Sequence, residues 1–359
     1  MIEILNQSAQ GFAATGNVGA LLLQNNLDVN ILRPFVDPKT GGHFYTRATV
    51  GADGQIQNQA VPLTNAVATL RRDEWIQIDE AVVRAARNRL RLVSDIRGAG
   101  LEYRVNGMSK TVLETSTMTK AGKATLSMDP ARIGEGDRPE FDSAFLPLPI
   151  CHSDFYFNIR EIAVSRNGAQ PLDTTMIEEA SVTVAEEIEK LTLGTLDTYS
   201  YSGGTIYGLL NYPSRETVDI TAPTASAWTG TLFIEELLEM RQAAADNKRY
   251  GPYVLYISPG WARYLDGDYS ASKGENTIRQ RALAVEGITD IRQLDFLTGY
   301  QMILVQMTSN NIRMVVGLDL TTIQWETIGG MRQNFKVMAL MVPQLRVDGD
   351  GNTGIVHGS

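Results

Sequence analysis

The chain is poor in the residues most chemistry needs. It has one cysteine, Cys151, and three histidines, His43, His152 and His357, among 359 residues. A single cysteine rules out an internal disulfide and fits synthesis in a reducing cytosol. No Cys or His cluster has zinc spacing, so no metal is expected. There is no Walker-type phosphate loop and no Gly-x-Gly-x-x-Gly following a strand, so no cofactor is expected either. No apolar run reaches the roughly 18 residues that span a membrane. The opening Met1-Ile2-Glu3-Ile4-Leu5-Asn6-Gln7 lacks a basic region followed by an apolar core and is not expected to be a secretory signal. Internal repeats and low-complexity tracts are absent as well. Positive charge is short: the net charge is −9, with 43% apolar and 20% charged residues. That balance argues against a protein whose main task is to grip nucleic acid.

The remaining candidates for catalysis or metal binding fail on geometry. Cys151 and His152 are neighbours, but adjacent strand residues point to opposite faces. Asp348-Gly349-Asp350-Gly351-Asn352 opens like a calcium loop, yet Thr353 stands where glycine is required and no closing glutamate follows. It reads as a solvated turn. Glu178/Glu179 and Glu186/Glu187 have no Glu-x-x-His partner and read as a charged helix face. An enzyme is not expected.

What is present is order. The stretch 173–194 has apolar residues at Ile177, Ala180, Val184, Ile188 and Leu191, spaced for one side of a helix. Asp173 or Thr175 can cap it, Thr175 with Glu178 fits a capping box, and Gly194 is placed to end it. Before it, a helix from Asp73 carries Trp75, Ile76, Ile78, Val82, Val83, Ala86, Leu90 and Val93 on one face. Arg84, Arg87, Arg89 and Arg91 lie on the other, read as solvated or paired with acidic neighbours. From Gly98 to Leu146 the pattern alternates around a polar tip, including Leu101–Val105 and Thr111–Thr115. This predicts a long hairpin with almost no core of its own. His152–Ile159 reads as a strong strand. After residue 228 come a helix over Leu232–Asp246, a buried strand Tyr253–Ile257, short helices, and strands Met302–Met307 and Ile312–Val316. The run Phe335–Val342 is expected to return to the first core. The segment ahead of Asp73 reads as an extended arm, with a small strand-rich subdomain as the alternative.

Several of these segments carry a resemblance in the right order. Trp75-Ile76-Gln77-Ile78-Asp79 resembles the Trp-x-x-Ile-Asp helix of encapsulins. Phe145-Leu146-Pro147-Leu148-Pro149 leading into Phe155–Ile162 resembles the point where the long hairpin rejoins the body. Asp173–Gly194 is similar to the spine helix, and Ile206-Tyr207-Gly208-Leu209-Leu210-Asn211 to the motif that follows it. The chain thus resembles the Hong Kong 97 family, which comprises major capsid proteins of tailed double-stranded DNA phages and encapsulin shells.

The resemblance implies an α+β fold. Its parts are an N-terminal arm (1–72), a helix of the peripheral domain (73–97), an extended loop (98–147), and the peripheral domain (148–228) with its spine (173–194). An axial domain (229–330) and a return to the peripheral domain (331–359) complete it. The implied function is that of a structural subunit assembling as hexamers and pentamers into an icosahedral shell around phage DNA. The site is the virion, assembled in the host bacterial cytoplasm. Scaffolding, portal and decoration proteins are candidate partners; no membrane is involved. The negative charge suits a shell that encloses DNA without holding it tightly. A long segment precedes the Trp helix, whereas in encapsulins that helix opens the chain, which favours the phage reading. An encapsulin enclosing a protein cargo stays open, as does a soluble enzyme using the α/β region. The expected assembly contacts are Tyr103, Lys120, Lys123 and Arg138 on or beside the loop, and Glu179, Glu186 and Glu187 on the spine. Lys110, Lys120 and Lys123 are candidate crosslinking lysines, read first as solubilising charges.

Overall fold

A computed structural model describes residues 33, 35–37, 39–50, 56–62, 70–118, 126, 128, 141–167, 175–269, 276–327 and 331–359. In chain order its elements begin with β1 (Phe35–Val36), β2 (His43–Val50) and β3 (Ile56–Pro62). Next come α1 (Arg72–Arg89), α2 (Arg91–Gly98), β4 (Glu102–Arg104), β5 (Val112–Met118), β6 (Phe141–Pro147) and β7 (Cys151–Asn158). Then follow α3 (Ile159–Asn167), α4 (Thr175–Leu193), β8 (Tyr199–Tyr201), β9 (Gly204–Ile206), β10 (Glu216–Val218), α5 (Gly230–Asp246) and β11 (Tyr253–Ile257). The last are α6 (Pro259–Leu265), α7 (Ile278–Leu283), β12 (Ile288–Gln293), β13 (Met302–Gln306), β14 (Ile312–Thr327), β15 (Arg332–Leu345) and β16 (Ile355–Gly358).

The chain divides into two compact units. The first comprises Met1–Thr111, Leu148–Thr192 and Met314–Pro343; the second comprises Val112–Pro147, Leu193–Arg313 and Gln344–Ser359.

In the first unit a four-stranded sheet runs in the order β4-β14-β15-β7. The expected strands at His152–Ile159 and Phe335–Val342 are neighbours in it, with Phe335 opposite Phe155 in antiparallel register. Alternation along β7 turns Phe155 and Phe157 inward and leaves His152, Asp154, Tyr156 and Asn158 outside. The inward rings meet Phe335, which stacks on Phe155 at 5.2 Å, and Trp75 meets Phe335 edge-on at 6.4 Å. This aromatic cluster and the apolar stripe of α1 are part of the core of the unit, with Leu92, Ile96, Ile177, Ile188 and Leu340 also buried.

Three expectations change here. The helix expected as one piece from Asp73 breaks at Leu90, whose backbone (φ −84°, ψ 69°) separates α1 from α2. Leu101–Val105 is not part of the hairpin: β4 joins the sheet, parallel to β14, with Tyr103 opposite Val315. Ahead of Asp73 the strand-rich alternative is what the described residues show: β1, β2 and β3 form an antiparallel three-stranded sheet. A short helix that the run Leu21-Leu22-Leu23 would allow at Val18–Gln24, and the cap residue Asp173, lie outside the described residues.

In the second unit a five-stranded sheet has the order β10-β16-β13-β11-β12. Helix α5 is capped by the Thr229 hydroxyl, which accepts from Leu232 N at 3.2 Å. It packs Phe233, Leu237 and Met240 against Leu255, Met302 and Leu304. Trp261 lies fully inside, 5.2 Å from the Phe233 ring, with its Nε1 donating to the Tyr300 carbonyl at 2.9 Å. The C-terminal residues, expected with 331–359 in the first core, part from it: β16 pairs with β10 and β13, burying Ile355 and Val356. The turn 348–352 is bound by cations of the protein: Lys248 meets Asp350 at 3.4 Å and Arg249 meets Asp348 at 3.8 Å.

Candidate assembly surface

The hairpin of β5 and β6 runs in antiparallel register from Val112 opposite Pro147 to Met118 opposite Phe141. Among its described side chains, burial falls at the base, at Leu113, Leu146 and Pro147, while Glu114, Ser116, Ser143, Ala144 and Phe145 are exposed. Between the strands, Leu126 and Met128 are fully exposed, at 101% and 103% of a reference side chain. A two-stranded hairpin covered only at its base is marginal in water by itself. The base is fixed by β8 and β9. A Cβ on Gly204 would overlap the Phe145 carbonyl oxygen and stand 2.7 Å from its carbon, so only glycine permits this approach. Tyr199 and Tyr201 on β8 are exposed.

Helix α4 has the expected face. Ile177, Ala180, Val184 and Ile188 are buried, joined by Ser181, Ala185, Glu189, Thr192 and Leu193, while Leu191 is half-buried. Gly194 follows in the left-handed region at φ 88°. Within the second unit, Leu210 N donates to the Leu193 carbonyl at 2.8 Å, and Asn211 Oδ1 accepts from Gly208 N at 2.7 Å.

The expected contact residues separate on inspection. Tyr103 is exposed on β4 and Glu179 is exposed on α4. Glu186 is engaged within its own chain, 3.3 Å from Arg89 Nε, and Glu187 lies 3.6 Å from Lys190. Arg84 likewise pairs with Glu178 at 3.3 Å, the acidic pairing expected for these arginines. Lys120, Lys123 and Arg138 lie outside the described residues; Lys110 is exposed.

The structure adds residues that periodicity alone did not single out. Glu189 is buried, and its Oε1 and Oε2 accept the Leu92 and Val93 amides at 2.6 and 3.4 Å. Burial pushes its carboxyl up to about 7 despite those bonds. It stands four residues after Ala185 on the apolar stripe, a carboxylate at a core position, which was the available signal. On the outer face of the sheet, Arg332 lies over the Tyr156 ring at 3.5 Å and Lys336 meets Asp154 at 3.4 Å. Burial first, and Glu187 second, push the Cys151 thiol up to about 11, which disfavours the thiolate. His152, on the opposite face, turns to Asp154 at 3.5 Å.

Residues 65–358 match the family described as "Family of unknown function (DUF6260)". The chain belongs to that family. The type 1 encapsulin shell protein EncA of Myxococcus xanthus (strain DK1622) is 23% identical to this DUF6260 chain over 295 residues, spanning 79% of this chain and 92% of that protein. A virus-like particle from Pyrococcus furiosus superposes with a TM-score of 0.56 at 15% identity, over 79% of this chain and 98% of that one. The capsid of Myoviridae phage XM1 superposes with a TM-score of 0.56 at 12% identity, over 73% of this chain and 90% of that one. The fold of this DUF6260 chain is the α+β Hong Kong 97 fold, common to phage capsids and encapsulin-like particles.

Proposed function

We propose that this chain is the major capsid protein of a tailed double-stranded DNA phage, many copies of which assemble as hexamers and pentamers into an icosahedral shell around the genome. The observation that supports the reading is the hairpin of β5 and β6, covered only at its base among its described residues, with Leu126 and Met128 in solvent. In a shell, a neighbouring copy supplies the missing cover, and strand edges left open in one subunit are shielded by the next. In this reading the first unit is the peripheral domain with α4 as its spine, and the second carries the axial domain and the extended loop. Tyr103, Glu179, Glu186 and Glu187, with Lys120, Lys123 and Arg138, are the proposed contact residues. The subunit has a structural role rather than an enzymatic one, and needs no cofactor. Scaffolding, portal and decoration proteins are its proposed partners in the host bacterial cytoplasm. A chain with net charge −9 suits an inner wall that lets DNA slide.

A second reading, an encapsulin shell around a protein cargo, is favoured by the match to EncA across 92% of that protein. Purifying particles from a bacterium expressing the chain alone separates the two. Small uniform shells that co-purify with one enzyme support the encapsulin reading. Larger shells, tubes, or assembly only with a co-expressed scaffold support the phage reading. A stable monomer at high concentration under all of these conditions overturns both.

A further inference from the structure

Trp75 and Asp79 stand four residues apart on α1, so their side chains project from successive turns of one face. Between them lies the guanidinium of Arg33. Its Nη2 donates to Asp79 Oδ1 at 2.5 Å, and its Cζ sits 4.5 Å from the centre of the Trp75 ring. The two charged side chains are only 2% and 7% exposed. A ring face and a carboxylate edge together are what a planar, weakly hydrated cation prefers; a compact ammonium matches them poorly. The engagement is incomplete, because Asp79 Oδ2 and Arg33 Nε are buried without hydrogen-bond partners among the described residues. A bidentate fork would have satisfied both.

Arg33 stands just ahead of the strand that ties the three-stranded sheet to this helix. Val36 N donates to the Leu70 carbonyl at 2.9 Å, and Val36 bridges Arg71 in parallel. β1 in turn pairs with β2, and β2 with β3. We propose that Trp75 and Asp79 form a guanidinium-binding site whose ligand is Arg33 of the same chain, and that filling this site docks the β1–β3 sheet onto α1. Emptying it leaves a buried carboxyl without its counter-charge, which burial already pushes up to about 6. The site is built from one chain and does not depend on shell assembly.

The test uses the full chain with Arg33→Ala and hydrogen exchange at the β2 and β3 amides, with α5 amides as the internal control. Exchange in β2 and β3 rises on the order of a hundredfold. Low-millimolar ethylguanidinium restores protection saturably, and ethylammonium at equal ionic strength does not. Unchanged exchange, rescue by neither cation, or equal rescue by both overturns the proposal. Should Arg33→Ala fail to fold, Arg33→Lys decides: loosened β2 and β3 amides support the guanidinium requirement, and wild-type protection overturns it.

Discussion

Glu189 Oε1 accepts the backbone N–H of Leu92 at 2.6 Å, across 97 residues of sequence. This bond explains the break at Leu90. The first amides of α2 turn to a carboxylate from α4 instead of continuing the ladder of α1, and the negative group sits at the positive end of α2. The cost is a buried charge, and it sets a pH dependence. Glu189 holds its proton up to about pH 7 when folded, against an ordinary value of 4.5. Between those values the folded chain binds a proton that the unfolded chain releases, so stability falls as pH rises through the window. Glu189→Gln keeps an acceptor for Leu92 and never ionises. Denaturant midpoints taken from pH 4.5 to pH 8 should show the wild type losing on the order of 3 kcal/mol relative to the variant. Parallel pH profiles would contradict this.

Gly204→Ala tests the base of the hairpin. The new methyl group meets the Phe145 carbonyl, which belongs to backbone and cannot swing aside. Strand β9 must move away from β6, at a cost of about 1–3 kcal/mol. Thermal unfolding measures the loss, and faster amide exchange confined to β6, β8 and β9 locates it. A variant as stable as the wild type would show that the close approach is not required.

Arg89→Ala and Arg84→Ala test how much the arginines of α1 contribute. Both pairs, with Glu186 and Glu178, are at 3.3 Å and only partly shielded from solvent. Each substitution should change unfolding free energy by less than about 1 kcal/mol. A larger loss would mean that the face carries more than solvated ion pairs.

How much of this was legible beforehand depended on distance along the chain. The stripe of α4 and its stop at Gly194 follow from spacing within a single helix. The return of Phe335–Val342 to the first core was readable from its continuous apolar run, which is buried along nearly its whole length, but its pairing with β7 was not. Glu189 and Arg33 were not, since each is explained only by a partner remote in sequence, Leu92 and Asp79. Strand β4 was misplaced for a related reason. Its three residues carry too little pattern to show that they pair with β14 and not with the hairpin beside them. The C-terminal strand β16, at four residues, was misassigned in the same way.

The claim that the hairpin assembles subunits is tested most directly by replacing residues 119–140 with a tight Asn-Gly turn. Wild type and variant are then compared by sedimentation velocity and electron microscopy under the same assembly conditions. The shortened chain should keep the wild-type circular dichroism spectrum and sediment as an unassembled subunit, while the wild type forms shells. Shells of normal size and yield from the shortened chain would contradict the account.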